Sequence, residues 1–147
     1  MAASPTNSQP HGGHSATGGA SSGNSNQGGQ QNPATYTPDE LAFHKLFPQV
    51  PLNEKLVESY QCGLSRKKIV RMGRLYLTSL RLCFHSTFLS ESLMMEWEQV
   101  DAVEKKENFV FEAIVVKGSA GETHYFSAFM YGMTDQAHKM TTMLWNV

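Results

Sequence analysis

Six of the twelve Lys and Arg residues of this 147-residue chain lie in one acid-free stretch: Arg66, Lys67, Lys68, Arg71, Arg74 and Arg81, all between Glu58 and Glu91. Cations gathered in this way bind anions. A guanidinium forks onto phosphate or carboxylate oxygens in pairs, and an ammonium adds a point charge. Arg66-Lys67-Lys68 is the densest part and the first choice for an anion site. The bland alternative is a solvated turn, since charge also keeps strand edges soluble. Arg71 and Arg74 are three positions apart, so a regular strand sends them to opposite faces. They share a patch only if Gly73 introduces a bulge.

Phe88 and Leu89 are apolar residues where the pattern calls for a loop. Such a pair either enters an apolar phase or folds back as a cap over the core. Trp97, Phe109, Phe111 and Trp145 are expected in the core. No reactive constellation accompanies the cations. The sequence holds no HExxH, CxxC, GxSxG, P-loop or dinucleotide-binding glycine motif, so no enzymatic activity is expected. His44, His85, His124 and His138 are scattered over different elements, and His11 and His14 stand far upstream. Neither a metal nor any other cofactor is expected. Cys62 and Cys83 are too few for a disulfide framework and sit in apolar sequence, which predicts buried thiols.

The elements that position these residues follow from hydrophobic patterning. Residues 1–37 are Gly-, Ser-, Asn- and Gln-rich, and no Lys, Arg, Asp or Glu precedes Asp39. Such composition cannot offset the entropy of ordering and predicts a disordered tail, with residues 38–147 as the single domain. Thr37-Pro38-Asp39-Glu40 is a helix start, with a hydroxyl cap, proline in the first turn and two carboxylates at the positive end of the dipole. Leu41, Phe43, Leu46 and Phe47 supply that helix's apolar contacts, and the prolines at 48 and 51 end it.

Seven β-rich runs follow: Leu56–Leu64, Lys68–Thr78, Arg81–Thr87, Ser92–Trp97, Val100–Lys105, Phe111–Lys117 and Thr123–Phe129. The breaks between them are too short for parallel crossovers, so an antiparallel meander is expected. In the third run Leu82, Phe84 and Ser86 alternate with Arg81, Cys83 and His85, which predicts one core face and one outer face. A helix over residues 134–145 presents Met133, Ala137, Met140 and Leu144 on one stripe, with Thr134 as its cap and an Asp135–Lys139 pair. The fold class is therefore mainly β: a seven-stranded antiparallel barrel or sandwich capped by a C-terminal helix, as in the pleckstrin-homology superfold.

Particular strings then carry a family resemblance. Phe43-His44-Lys45-Leu46-Phe47-Pro48, Tyr60-Gln61-Cys62-Gly63-Leu64, Gly73-Arg74-Leu75-Tyr76-Leu77-Thr78 and Leu82-Cys83-Phe84-His85-Ser86 occur in order, followed by Tyr125-Phe126-Ser127-Ala128-Phe129 and Leu144-Trp145. Together they resemble the GRAM domains of Aster-like sterol-transfer proteins at membrane contact sites, from about residue 40 onward. That resemblance implies a pleckstrin-homology-like fold that binds anionic lipids, either phosphoinositides or phosphatidylserine. Arg66, Lys67 and Lys68 would receive the headgroup, with Arg71, Arg74 and Arg81 in support and Phe88 and Leu89 as the inserting pair.

The chain departs from the family in three places. Unlike in the multidomain members, no sterol-binding domain or membrane anchor is expected after the barrel. Met133-Thr134-Asp135 stands where Arg-Asp is usual, and the loop after Phe88 lacks the usual Gly and Trp. Arg71 and Arg74 also have two residues between them, where the phosphoinositide signature has one.

Anionic membrane lipid is thus the expected partner, with peripheral attachment in the cytoplasm. The alternative is a protein partner in the groove between the last helix and an edge strand, where nine carboxylates face four cations from Glu91 onward. A formal net charge of −1 argues against nucleic acid, and no apolar run approaches the ~20 residues of a transmembrane helix.

Overall fold

The computed structural model describes residues 36–88, 90–107 and 111–147. Residues 1–35 of the predicted tail, Leu89 and Phe109 lie outside the described residues, while Thr37 at the tail's end is ordered as the cap of the first helix. Helix α1 (Pro38–Leu46) leads into seven strands: β1 (Leu56–Arg66), β2 (Ile69–Thr78), β3 (Arg81–Ser86), β4 (Ser92–Glu96), β5 (Val100–Glu107), β6 (Glu112–Gly118) and β7 (Thr123–Ser127). Helix α2 (Thr134–Trp145) closes the chain.

The sheet is antiparallel but not one meander. Its order is β4-β3-β2-β1-β7-β6-β5, two meanders joined where β7 pairs with β1. Leu64 faces Phe126 across that joint. The halves pack face to face. Tyr60, Cys62, Leu64, Leu75, Leu77, Leu82, Phe84 and Met95 from one half meet Val100, Ile114, Val116 and Phe126 from the other. Burying each of the larger of these side chains is worth about 1.5–3 kcal/mol. Helix α2 packs against β5 and β6 and adds Ala137, Leu144 and, partly buried, Met133, Met140 and Trp145.

Both faces of the second half of β2 and of the middle of β3 are buried, which simple alternation does not predict. Leu75, Leu77, Leu82 and Phe84 point into the core, while Tyr76 and Cys83 lie under Phe43, Phe47 and Val50. The α1 segment is a second layer over the outer face. Its start is fixed by a capping box: Thr37 Oγ1 accepts from the Glu40 amide and Glu40 Oε1 accepts from the Thr37 amide, each at 3.1 Å. Phe43 and Phe47 supply the packing, whereas Leu41 and Leu46, also expected to do so, are exposed. Burial pushes both thiols up, Cys83 to about 12.

Other expectations need correcting. Gly73 causes no bulge, for it pairs in unbroken register with Cys62 and Ser86. A Cβ there would sit 2.2 Å from the His85 carbonyl oxygen, so the glycine permits close strand approach. Register shifts fall instead at Leu56/Glu58 and Val100/Ala102. Met133, not Thr134, occupies the cap of α2 and makes no side-chain cap bond. Thr134 is buried in the helix. Asp135 pairs closely with Lys105 across to β5, and the Lys139 charge acts on it only as a lesser neighbour. Trp97 is buried and donates to the Thr78 carbonyl at 2.9 Å, but Phe111 is exposed.

Candidate functional site

Antiparallel strands bring alternate loops to one end. The β1–β2 turn and the β3–β4 loop therefore lie side by side at one mouth of the barrel, tied by the Thr87 amide donating to the Met72 carbonyl at 2.9 Å. Lys67 and Lys68 form the tip, a two-residue turn in which both have left-handed backbones, with φ of 50° and 71°. Mirror-image hairpin turns demand this of both central residues and favour Asn-Gly. Lysine adopts it at a cost of about 1 kcal/mol or more each. Both lysines are exposed.

Next to the tip, Arg66 and Arg71 converge on Glu91 of the adjacent loop. Arg66 Nε lies 3.5 Å and Arg71 Nε 3.4 Å from the carboxylate, and all three side chains keep about a quarter to a third of their surface in solvent. Glu91 is held by its backbone, since its amide donates to Ser86 Oγ and its carbonyl accepts from the Ser86 amide. Continuing the β1–β7 register places His124 beside Arg66. Its Nε2 is buried without a hydrogen-bond partner. Burial, and then the Arg66 charge, lowers its pKa below the usual 6.5, with Glu122 opposing.

Apolar groups share this end. Phe88 is 88% exposed, and Ile69, Val70 and Met72 are exposed along the strand that leaves the lysine turn.

The other two predicted cations are placed elsewhere. Arg74 is on the outer face, opposite Arg71, and donates from Nη1 to Ser59 Oγ at 3.0 Å, while Ser59 donates to Asp39 at 3.1 Å. Arg81 is at the other end of β3, roughly 16 Å of strand from Ser86. There it forks onto buried Glu54, with Nε at 2.8 Å from Oε2 and Nη2 at 3.0 Å from Oε1. Thr78 Oγ1 donates to the same carboxylate at 2.7 Å. This is a structural pair, and the hydrogen bond to Glu54 raises the Arg81 pKa.

Of the residues singled out in the sequence, Arg66, Lys67, Lys68, Arg71 and Phe88 come together at this end, beside Glu91 and His124, which were not singled out. A signal for Glu91 existed, because it is the acid that ends the basic window and it follows a loop that antiparallel pairing sends to the lysine end. His124 had none, since its position depends on the long-range joint of β1 and β7.

The groove side differs in character. Lys105 bridges Glu107, Glu112 and Asp135, linking β5 and β6 to the first turn of α2. The carboxylates raise the lysine pKa, and the lysine lowers that of Asp135.

Comparison with known proteins agrees with this architecture. The family model for the GRAM domain matches residues 41–147. The chain belongs to the GRAM domain family. Human Protein Aster-B is 33% identical over 115 residues, and mouse Protein Aster-A 30%; each match spans 76% of this chain but 15% of the relative. The matched stretch is thus a small part of these relatives. Among solved structures, the C-terminal domain of an unknown protein from Leishmania infantum superposes with a TM-score of 0.69 at 28% identity, covering 74% of this chain and 99% of that one. The Vps36 N-terminal PH domain superposes with a TM-score of 0.56 at 19% identity, covering 66% of this chain and 83% of its own, a likeness of fold. No helix among the described residues of this GRAM domain is long and apolar enough to cross a membrane.

Proposed function

We infer that this GRAM domain is a non-catalytic, peripheral membrane-docking module whose barrel mouth faces anionic lipid on the cytoplasmic side. The observation that carries the reading is the pairing, at one end, of the Lys67-Lys68 tip with the solvent-exposed ring of Phe88. Cations beside an unburied aromatic suit an interface whose surface is negative and whose interior is apolar. Two lysines held in a backbone conformation that Asn-Gly would adopt more cheaply support a role for charge at the tip. Phosphatidylserine and phosphoinositides both meet this chemistry.

Magnitudes set the expected strength. Arg66 and Arg71, less the charge of Glu91, join the two lysines to give a local +3. At about 1 kcal/mol per cation near an anionic surface this contributes roughly 3 kcal/mol. Insertion of Phe88 adds about 1.5–3 kcal/mol if complete. The sum describes weak, salt-sensitive binding that a specific headgroup or several linked domains would strengthen. A protein partner in the α2–β5 groove is less well supported, because the Lys105–Asp135 bridge ties the first turn of α2 to β5.

Flotation with neutral, phosphatidylserine-containing and phosphoinositide-containing vesicles tests this. Wild type is expected on anionic vesicles, with affinity falling by at least about 100-fold in the Arg66→Glu, Lys67→Glu, Lys68→Glu triple variant. No binding to any composition at low salt, or undiminished binding by the triple variant, overturns the reading.

A further inference from the structure

Arg66 and Arg71 hold Glu91 in an unusual way. Charge-assisted N–H···O contacts normally close to 2.7–2.9 Å, and arginine usually engages a carboxylate with both prongs of its fork. Here the nearest approach of each guanidinium to the carboxylate, through Nε, is only 3.5 and 3.4 Å, and neither Nε makes a hydrogen bond. Both Nε atoms and Glu91 Oε2 are shut off from solvent, yet none has a hydrogen-bond partner. The carboxylate sits between the two donors without satisfying either. Part-exposed ion contacts of this kind are weak, and this one lacks the geometry that strengthens some of them.

Charge and size point the same way. Two guanidinium groups and one carboxylate leave a net +1, with His124 beside Arg66 as a further buried, unpartnered donor or acceptor. A phosphomonoester carries −1.5 to −2 at pH 7 and has three acceptor oxygens, enough to reach both Nε atoms and neutralise the pair. A singly charged phosphodiester or carboxylate brings no more charge than Glu91 already supplies.

We propose that Arg66 and Arg71 form an anion site in which Glu91 is the resident occupant, and that a phosphomonoester binds by displacing it. Glu91 is then a specificity-determining residue that screens ligands by charge. Its backbone ties to Ser86 do not involve the carboxylate, so the displacement is one of the side chain alone. The proposal rests on the membrane-docking reading for a lipid source of the phosphate, but a soluble phosphate would satisfy the same site.

The test uses the whole chain as wild type, Glu91→Gln, the double variant Glu91→Gln with Arg71→Gln, and Glu98→Gln as a control for net charge. Each is floated on vesicles containing phosphatidylinositol 4-phosphate and on phosphatidylserine vesicles matched in zeta potential. Wild type is expected to favour the phosphomonoester. Glu91→Gln should strengthen both interactions, more for phosphatidylserine, so that the preference falls at least threefold. The double variant should lose both gains. If Glu91→Gln behaves like wild type or like Glu98→Gln while wild type still binds, the role of Glu91 is overturned and membrane docking stands. If no variant binds vesicles, docking fails and a second measurement decides the site. Inorganic phosphate is titrated onto wild type and Glu91→Gln while the arginine Nε resonances are followed. Shifts at Arg66 and Arg71 that begin at lower phosphate in Glu91→Gln support the site with a soluble ligand, and their absence overturns it.

Discussion

Two arginine–glutamate assemblies stand at opposite ends of β3, and they differ in every respect except residue type. Arg81 and Glu54 form a forked, hydrogen-bonded pair with the carboxylate buried and Thr78 donating to it as well. Arg66 and Arg71 share Glu91 loosely, with nearest approaches of 3.5 and 3.4 Å and no hydrogen bond, at the solvent boundary. A buried charge must be fully compensated or the fold fails, so the first pair is fixed in place. A part-exposed charge has water as an alternative partner, so the second can be exchanged for a ligand. Depth, more than composition, separates scaffold from site.

The largest effect expected tests the scaffold end. Glu54→Ala leaves Arg81 and the Thr78 hydroxyl without their acceptor and should cost about 3 kcal/mol or more in chemical denaturation. Glu91→Ala should change stability by less than about 0.5 kcal/mol. Comparable losses for the two variants would erase the distinction.

A second experiment separates stability from binding at the mouth itself. Lys67→Asn with Lys68→Gly gives the turn the residues that its left-handed backbone favours, and should stabilise the fold by about 1 kcal/mol. The same change removes two cations, worth about 2 kcal/mol at an anionic surface, so vesicle affinity should fall roughly 30-fold. A variant that gains stability and keeps its affinity would show that the tip charge serves no docking role.

The scaffold end was also less legible in the sequence than the mouth, for a physical reason. The seven strands, both helices and the basic turn follow from local patterning, and each predicted strand lies within two residues of the observed one. Long-range pairing does not leave a local trace. Nothing near Arg81 announces Glu54, twenty-seven residues earlier, and nothing in Cys83 or Tyr76 announces that α1 will cover them. Phe111 illustrates the reverse error. An aromatic at a strand start reads as core, yet it is exposed on the same side as Lys106 and Tyr125, where the three line a shallow depression of about 490 Å³ with Lys105, Glu107 and Ala113.

At the mouth, Phe88 provides a smaller and cleaner test than the lysines. Its ring is almost wholly in solvent, so Phe88→Ser should leave the denaturation midpoint unchanged. Affinity for anionic vesicles should fall about 10-fold, with the salt dependence retained, because the lost contribution is apolar and not ionic. Unchanged affinity would mean that binding is purely electrostatic.

The smallest effect concerns the buried neighbour of the loose pair. His124 is held neutral by burial first and by the Arg66 charge second, so its folded pKa lies below the 6.5 of the unfolded chain. As pH falls through about 6.5 the unfolded chain takes up the proton before the folded one, and stability declines until the folded pKa is passed. Above that window the residue contributes no pH dependence. His124→Gln should therefore flatten part of the loss between pH 7.5 and pH 5.5, measured as the difference between variant and wild-type denaturation midpoints, which cancels the other histidines. An anion bound at Arg66 and Arg71 offsets the charge that depresses His124, so saturating inorganic phosphate should narrow the same difference. If phosphate leaves it unchanged while Arg66 and Arg71 bind the ion, His124 belongs to the scaffold end of the comparison despite its place at the mouth.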